Sequence, residues 1–173
     1  MNSLEMLGQL YRHMEWADAA VWRAVLATPG AAGDADLRER LLHLHTTQHA
    51  FLSTWRARAF DREAGKAKDL PALARWTWEF HQDAAAYVAS LHEADLDREH
   101  VVPWAARVSA RLGREVAATT LRETLFQAAA HSHYHRGQVN TRLKQVGGTP
   151  PMVDFIAWVW TGKPPVEWPA EAR

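Results

Sequence analysis

Apolar residues return every three or four positions through four separate stretches of this chain, and that period limits its possible folds more than any other feature. In the first stretch Leu4, Leu7, Leu10, Tyr11, Met14, Ala17, Val21 and Leu26 keep the rhythm until Pro29-Gly30 breaks it. A second runs through Leu37, Leu41, Leu44, Gln48, Phe51, Leu52 and Trp55, with Asp34 or Asp36 placed to cap its start. After the turn marked by Gly65 and Pro71, a third is expected from about Pro71 to Leu91, its stripe carried by Leu73, Trp76, Phe80, Ala84, Tyr87 and Val88. Thr120-Leu121-Arg122-Glu123 has the spacing of a capping box and opens the fourth. That stretch continues through Leu125, Ala128, His131, His135, Val139 and Leu143 to Gly147-Gly148. Four long amphipathic segments with few strand signals predict an all-α fold, a four-helix bundle, in one domain spanning residues 1–173.

The segment 95–118 breaks the pattern. Val101, Val102, Pro103, Trp104 and Val108 suggest a short extended excursion, and Gly113 interrupts any helix there. A short C-terminal helix containing Phe155, Ile156 and Val159 follows Thr149-Pro150-Pro151, and the Pro164-Pro165 tail is expected to be largely irregular. Val153 to Trp160 is too short to span a bilayer as a helix, and Met1 to Gln9 lacks the apolar core of a signal peptide. No membrane partner is expected.

Charge and cysteine content narrow the chemistry. Lysine plus arginine number 20 and aspartate plus glutamate 20, so no global charge draws the chain to nucleic acid. The local run Arg107, Arg111 and Arg114 reads as a solvated face, with no helix-turn-helix or phosphate-binding loop beside it. The chain has no cysteine, which excludes disulfides, thiolate ligands and cysteine nucleophiles and accords with an expected cytoplasmic location. Histidine and carboxylate remain as metal donors. Most of the nine tryptophans are expected to pack between helices.

The sequence His131-Ser-His-Tyr-His135-Arg-Gly then stands out. Histidines four apart on a helix share one face, and both rings can reach one ion. His133 points away from this pair. A second group, His43, His45 and His49, lies on the second predicted helix and can supply a third donor. At about 100° per residue, helical phase favours His45, which sits nearest the inward face, over His43 and His49. Three imidazoles with an open position form a catalytic zinc arrangement.

The phrase from His131 to Gln138 resembles the closing-helix signature of the DinB/YfiT-like family of bacterial metalloproteins, and Leu37 to Leu44 resembles the segment supplying that family's first histidine. Gly147-Gly-Thr-Pro-Pro151 followed by Asp154-Phe-Ile fits the family's ending, so the likeness covers nearly the whole chain and is weakest in the irregular middle. The resemblance implies a four-helix core holding a divalent ion, zinc or nickel, with His43, His131 and His135; it thus favours His43 where phase favours His45. It also implies a homodimer. Gln48 stands where related proteins often carry an acidic residue, which removes a carboxylate from that place. His13, Trp16, Gln48, Tyr134 and Arg136 are candidates for the pocket rim.

Such a site can lower the pKa of bound water, polarise a carbonyl or stabilise a thiolate. The leading expectation is metal-dependent hydrolysis, or a related transfer, on a small molecule. The resembling family also includes low-molecular-weight thiol transferases and a thiol-dependent isomerase, so a thiol cofactor, positioned by Arg136 or another rim group, is the alternative. Glu123 is used as a cap and Asp154 lies in the terminal segment, which leaves no clear general base. A non-catalytic metal-binding stress or interaction protein is the third reading.

Overall fold

The computed structural model describes residues 2–173. Among these residues there are six helices and no strand. Four long helices, α1 (Ser3–Leu26), α2 (Ala35–Trp55), α3 (Leu70–Ala89) and α5 (Leu121–Gln145), build the bundle; α4 (Ala105–Leu112) and α6 (Phe155–Trp160) are short. Each long helix starts on a side-chain cap. Asn2 with Glu5 and Thr120 with Glu123 form capping boxes, while the Asp34 and Asp69 carboxylates accept from the N–H groups of Leu37 and Ala72. Of the two aspartates offered by the sequence, Asp34 is therefore the cap, and Asp36 pairs with Arg40 one turn on.

The excursion differs from expectation. Its only pairing is an isolated antiparallel bridge between Glu99 and Thr120, and Val108 lies in a helix. Ala105 to Leu112 is rich in alanine and arginine, good helix formers that outweigh the β-branched run before them, and Gly113 ends the helix at φ 67°. No residue of α4 is buried.

Two apolar clusters lie at opposite ends of the bundle. One gathers Trp22, Leu37, Leu41, Leu73, Trp76, Val139 and Leu143; the other gathers Leu7, Tyr11, Phe51, Trp55, Phe80, Leu121 and Leu125. The order in which each helix visits them fixes its direction. α1 and α5 run one way, and α2 and α3 the other. Contacts pair α1 with α3 and α5, and α2 with α3 and α5, leaving α1 diagonal to α2. Because α2 and α3 are parallel neighbours, residues 56–69 must travel back along the bundle. They do so closely: a Cβ at Gly65 would meet Leu42 Cδ1 at 2.6 Å and Trp76 at 2.8 Å. The C-terminal tail, irregular apart from a single 3-10 turn, also packs down, with Trp168 and Ala172 joining the first cluster.

Between the two clusters sits a polar layer to which every long helix contributes. Asp18 on α1 is buried; its Oδ1 accepts from Arg136 Nε at 2.8 Å, and its Oδ2 accepts from His81 Nε2 at 2.9 Å and Gln48 Nε2 at 2.8 Å. Gln48 also donates to Ser132 Oγ, and its Oε1 accepts from His45 Nδ1. His45 Nε2 in turn accepts from Trp22 Nε1, which is shared with Thr77. Burial pushes the Asp18 pKa up, but Arg136 and His81 outweigh it and hold the carboxyl well below the usual carboxylate range. Asp18→Ala would strand the Arg136 charge in the interior. The expected loss is about 3–5 kcal/mol, read as a lower denaturant midpoint.

His49 offers a test of pH. Its ring stacks on Trp76 at 3.9 Å between centroids and its Nε2 donates to the Trp76 carbonyl. Burial pushes its pKa from 6.5 down to about 4. The unfolded chain thus takes up this proton before the folded one does. Stability from the neutral ring is present above about pH 6.5 and is lost as pH falls toward 4, by at most about 1.4 kcal/mol per pH unit. Stability at about pH 7 and about pH 5 should differ less in His49→Gln than in the wild type, by roughly 2 kcal/mol, read from denaturant midpoints.

Candidate metal centre

Antiparallel packing of α2 on α5 brings His43 against His131 and His135. One ring nitrogen from each histidine lies within 4.8 Å of the other two. Ring centroids are 4.2 Å apart for His131 and His135, 4.4 Å for His43 and His135, and 5.4 Å for His43 and His131. His43 is exposed and the α5 pair is half-buried, so the cluster sits in the outer groove between two helices and is open on one side.

The surroundings prepare these rings as donors. His135 Nδ1 donates to Gln138 Oε1 at 2.8 Å, which fixes the tautomer and leaves Nε2 with a free lone pair. His131 Nδ1 is buried with no hydrogen-bond partner. Such an orphan costs roughly 1–3 kcal/mol, and a cation ligated through this nitrogen would remove the penalty. Burial, with the neighbouring His135 and His43, pushes the His131 pKa down to about 4. The His43 pKa is lowered by partial desolvation against its neighbours and by His135, against an opposing pull from Glu39 one turn earlier on α2. Near neutral pH both rings are uncharged, the form that ligates metal. The convergent donors among the described residues are imidazoles alone, a set that suits transition ions and disfavours calcium. The residues fit a divalent transition ion.

Helical phase correctly placed His45 inward, but inward here means the interior. His45 is buried and both its ring nitrogens are engaged in the polar layer. The predicted rim residues also separate. Gln48 and Arg136 are buried on Asp18, and His13 is buried with its Nε2 on the Val153 carbonyl. Trp16 packs beside His13. Only Tyr134 stays by the cluster, exposed and edge-on to His135 at 5.0 Å. His133 is exposed, as its phase predicts.

Sequence reasoning passed over Gln138 and Glu39. Both were detectable as polar residues one turn from a candidate ligand, on the same helix face. A cavity of about 670 Å³ lies under α4, between α2 and the first turns of α5. Gln127, one turn before His131, forms part of its wall with Phe51, Val102 and Trp104. Neither this cavity nor a hollow of about 700 Å³ between α1 and α3 is lined by any of the three histidines.

No curated protein matches the chain. The DinB family model, by contrast, matches residues 1–165, nearly the full length. The helical bundle, the histidine cluster across α2 and α5 and this match agree with one another, and the chain belongs to the DinB family.

Proposed function

We propose that this protein binds a divalent transition ion, zinc or nickel, through His43, His131 and His135, and that the site serves metal-dependent hydrolysis or a related transfer on a small molecule. The observation that carries the reading is the convergence of three imidazole nitrogens within 4.8 Å from two different helices. An ion so held supplies Lewis acidity and an open position for water, a carbonyl oxygen or a thiolate. The chain's own residues supply the rest. Gln138 orients the His135 ring through Nδ1. Glu39, exposed and one turn before His43, is a carboxylate whose charge acts on the His43 ring. The cavity under α4, whose wall includes Gln127 one turn before His131, has the size of a small-molecule pocket.

The same site supports a second reading, transfer or isomerisation that depends on a low-molecular-weight thiol. Its support is the donor set, neutral imidazoles without a carboxylate, which leaves the bound ion its full charge to stabilise a sulfur anion. The buried Arg136, tied to Asp18, has no place in it as a group that positions the thiol. A homodimer and a cytoplasmic location complete the proposal, the first carried by the resemblance and the second by the lack of cysteine. No described helix is long and apolar enough to cross a membrane.

Two measurements follow. Untagged protein dialysed against zinc or nickel should hold one ion per chain by elemental analysis, and alanine at His43, His131 or His135 should abolish it. Gln138→Ala should weaken binding by about 10–100-fold. Unchanged occupancy in the three histidine variants would refute the ligand set. With metal loaded, an ester and thiol-acceptor panel should show turnover that disappears on chelation and in His135→Ala. Stoichiometric binding without turnover across a broad panel would instead favour a non-catalytic metal-binding stress or interaction protein.

A further inference from the structure

The flank of α5 turned away from the histidine cluster carries a different cavity. On a helix of about 100° per residue, His133 and Arg136 lie roughly 140–200° around from His131. They face a hollow of about 300 Å³ between α1 and α5, closed by Phe155 of α6. Met14 and Phe126 supply apolar wall, and His13 and His133 add two imidazoles. No acidic residue lines it.

Arg136 is the feature that needs an explanation. Its side chain is 2% exposed, yet among the described residues its guanidinium donates only through Nε, to Asp18. Nη2 is buried and has no partner. Asp18 cannot complete the pairing, because its Oδ2 is already taken by His81 and Gln48. Asp18 meets the charge of Arg136, but the idle N–H still lacks an oxygen acceptor, and of such acceptors a carboxylate fits the planar fork of arginine. The apolar walls disfavour a strongly hydrated inorganic anion and favour an acid with a hydrocarbon body. One idle N–H calls for one acceptor oxygen, and a single carboxylate supplies it.

We propose that this cavity is a second small-molecule site, separate from the histidine cluster, which binds a small organic monocarboxylate with its carboxylate on Arg136 and its apolar body against Met14, Phe126 and Phe155. The inference does not depend on the metal reading, since the α5 helix stands between the two places.

The test uses the full chain, isotope-labelled for nuclear magnetic resonance and titrated with benzoate or its neutral analogue benzyl alcohol, before and after metal chelation. Benzoate should shift the signals of Phe126, Ala130, His133 and the Arg136 Nε–H, with an affinity at least about tenfold above that of benzyl alcohol. Chelation should leave this binding intact. Ala130→Phe, at an exposed position of the cavity wall, should weaken it at least about tenfold while leaving the melting temperature unchanged. Equal affinity for the neutral analogue, shifts confined to His43, His131 and His135, loss of binding on chelation, or undiminished binding in Ala130→Phe would each overturn the proposal. So would the absence of any binding, which would mean that water alone serves Nη2.

Discussion

The ion pair between Asp18 and Arg136 is the constraint around which the bundle is organised. A carboxylate and a guanidinium, both almost fully withdrawn from water, lose hydration that their mutual attraction alone recovers poorly. The structure answers by filling both carboxylate oxygens, with His81 and Gln48 joining Arg136. Each of these partners comes from a different helix. The layer therefore specifies which residue of α1 must stand level with which residues of α2, α3 and α5, something that interchangeable leucines above and below could not do.

That alignment also sets the histidine cluster. Ser132 and Arg136 alternate along α5 with His131 and His135, so one face of the helix is fixed in the interior while the adjoining face presents the donors. On α2, Gln48 binds Ser132 just over one turn beyond His43. The relative height of α2 and α5, on which meeting of the three rings depends, is fixed by buried hydrogen bonds next to the site. Preorganisation of this kind is what a metal site shared by separate helices would require.

Much of this was legible in the residues. The caps at Asp34 and Thr120, the proline at the start of α3 and the helical period located the four long helices, because those signals are local. The spacing of His131 and His135 was equally local. The third histidine was not. Phase separates inside from outside, and it identified His45 as inside; it does not say that three rings gather in an outer groove, where His43 lies. Family likeness carried that choice. Asp18 falls on the apolar repeat of α1, in line with Tyr11, Met14, Val21 and Val25, so a charged residue in a buried row was visible. Its partners lie 30 to 118 positions away and were not. Arg136, read as a rim residue from its charge, is interior for the same reason. α4 escaped notice because the valines and proline ahead of it carry a strand-like signal, and because nothing in the core depends on it.

The arrangement of helices has a bearing on how the chain reaches this state. α1 and α2 are consecutive but lie diagonally, and the parallel pair α2 and α3 is joined only by a long return segment. No two successive long helices form a compact antiparallel hairpin able to cover its own apolar stripe. Each stripe waits for residues far along the sequence, and α5 is needed by both α1 and α2. Such wiring raises the mean separation of contacting residues above that of an up-and-down bundle and so slows the search. It also leaves the bundle incomplete until α5 has docked on both α1 and α2.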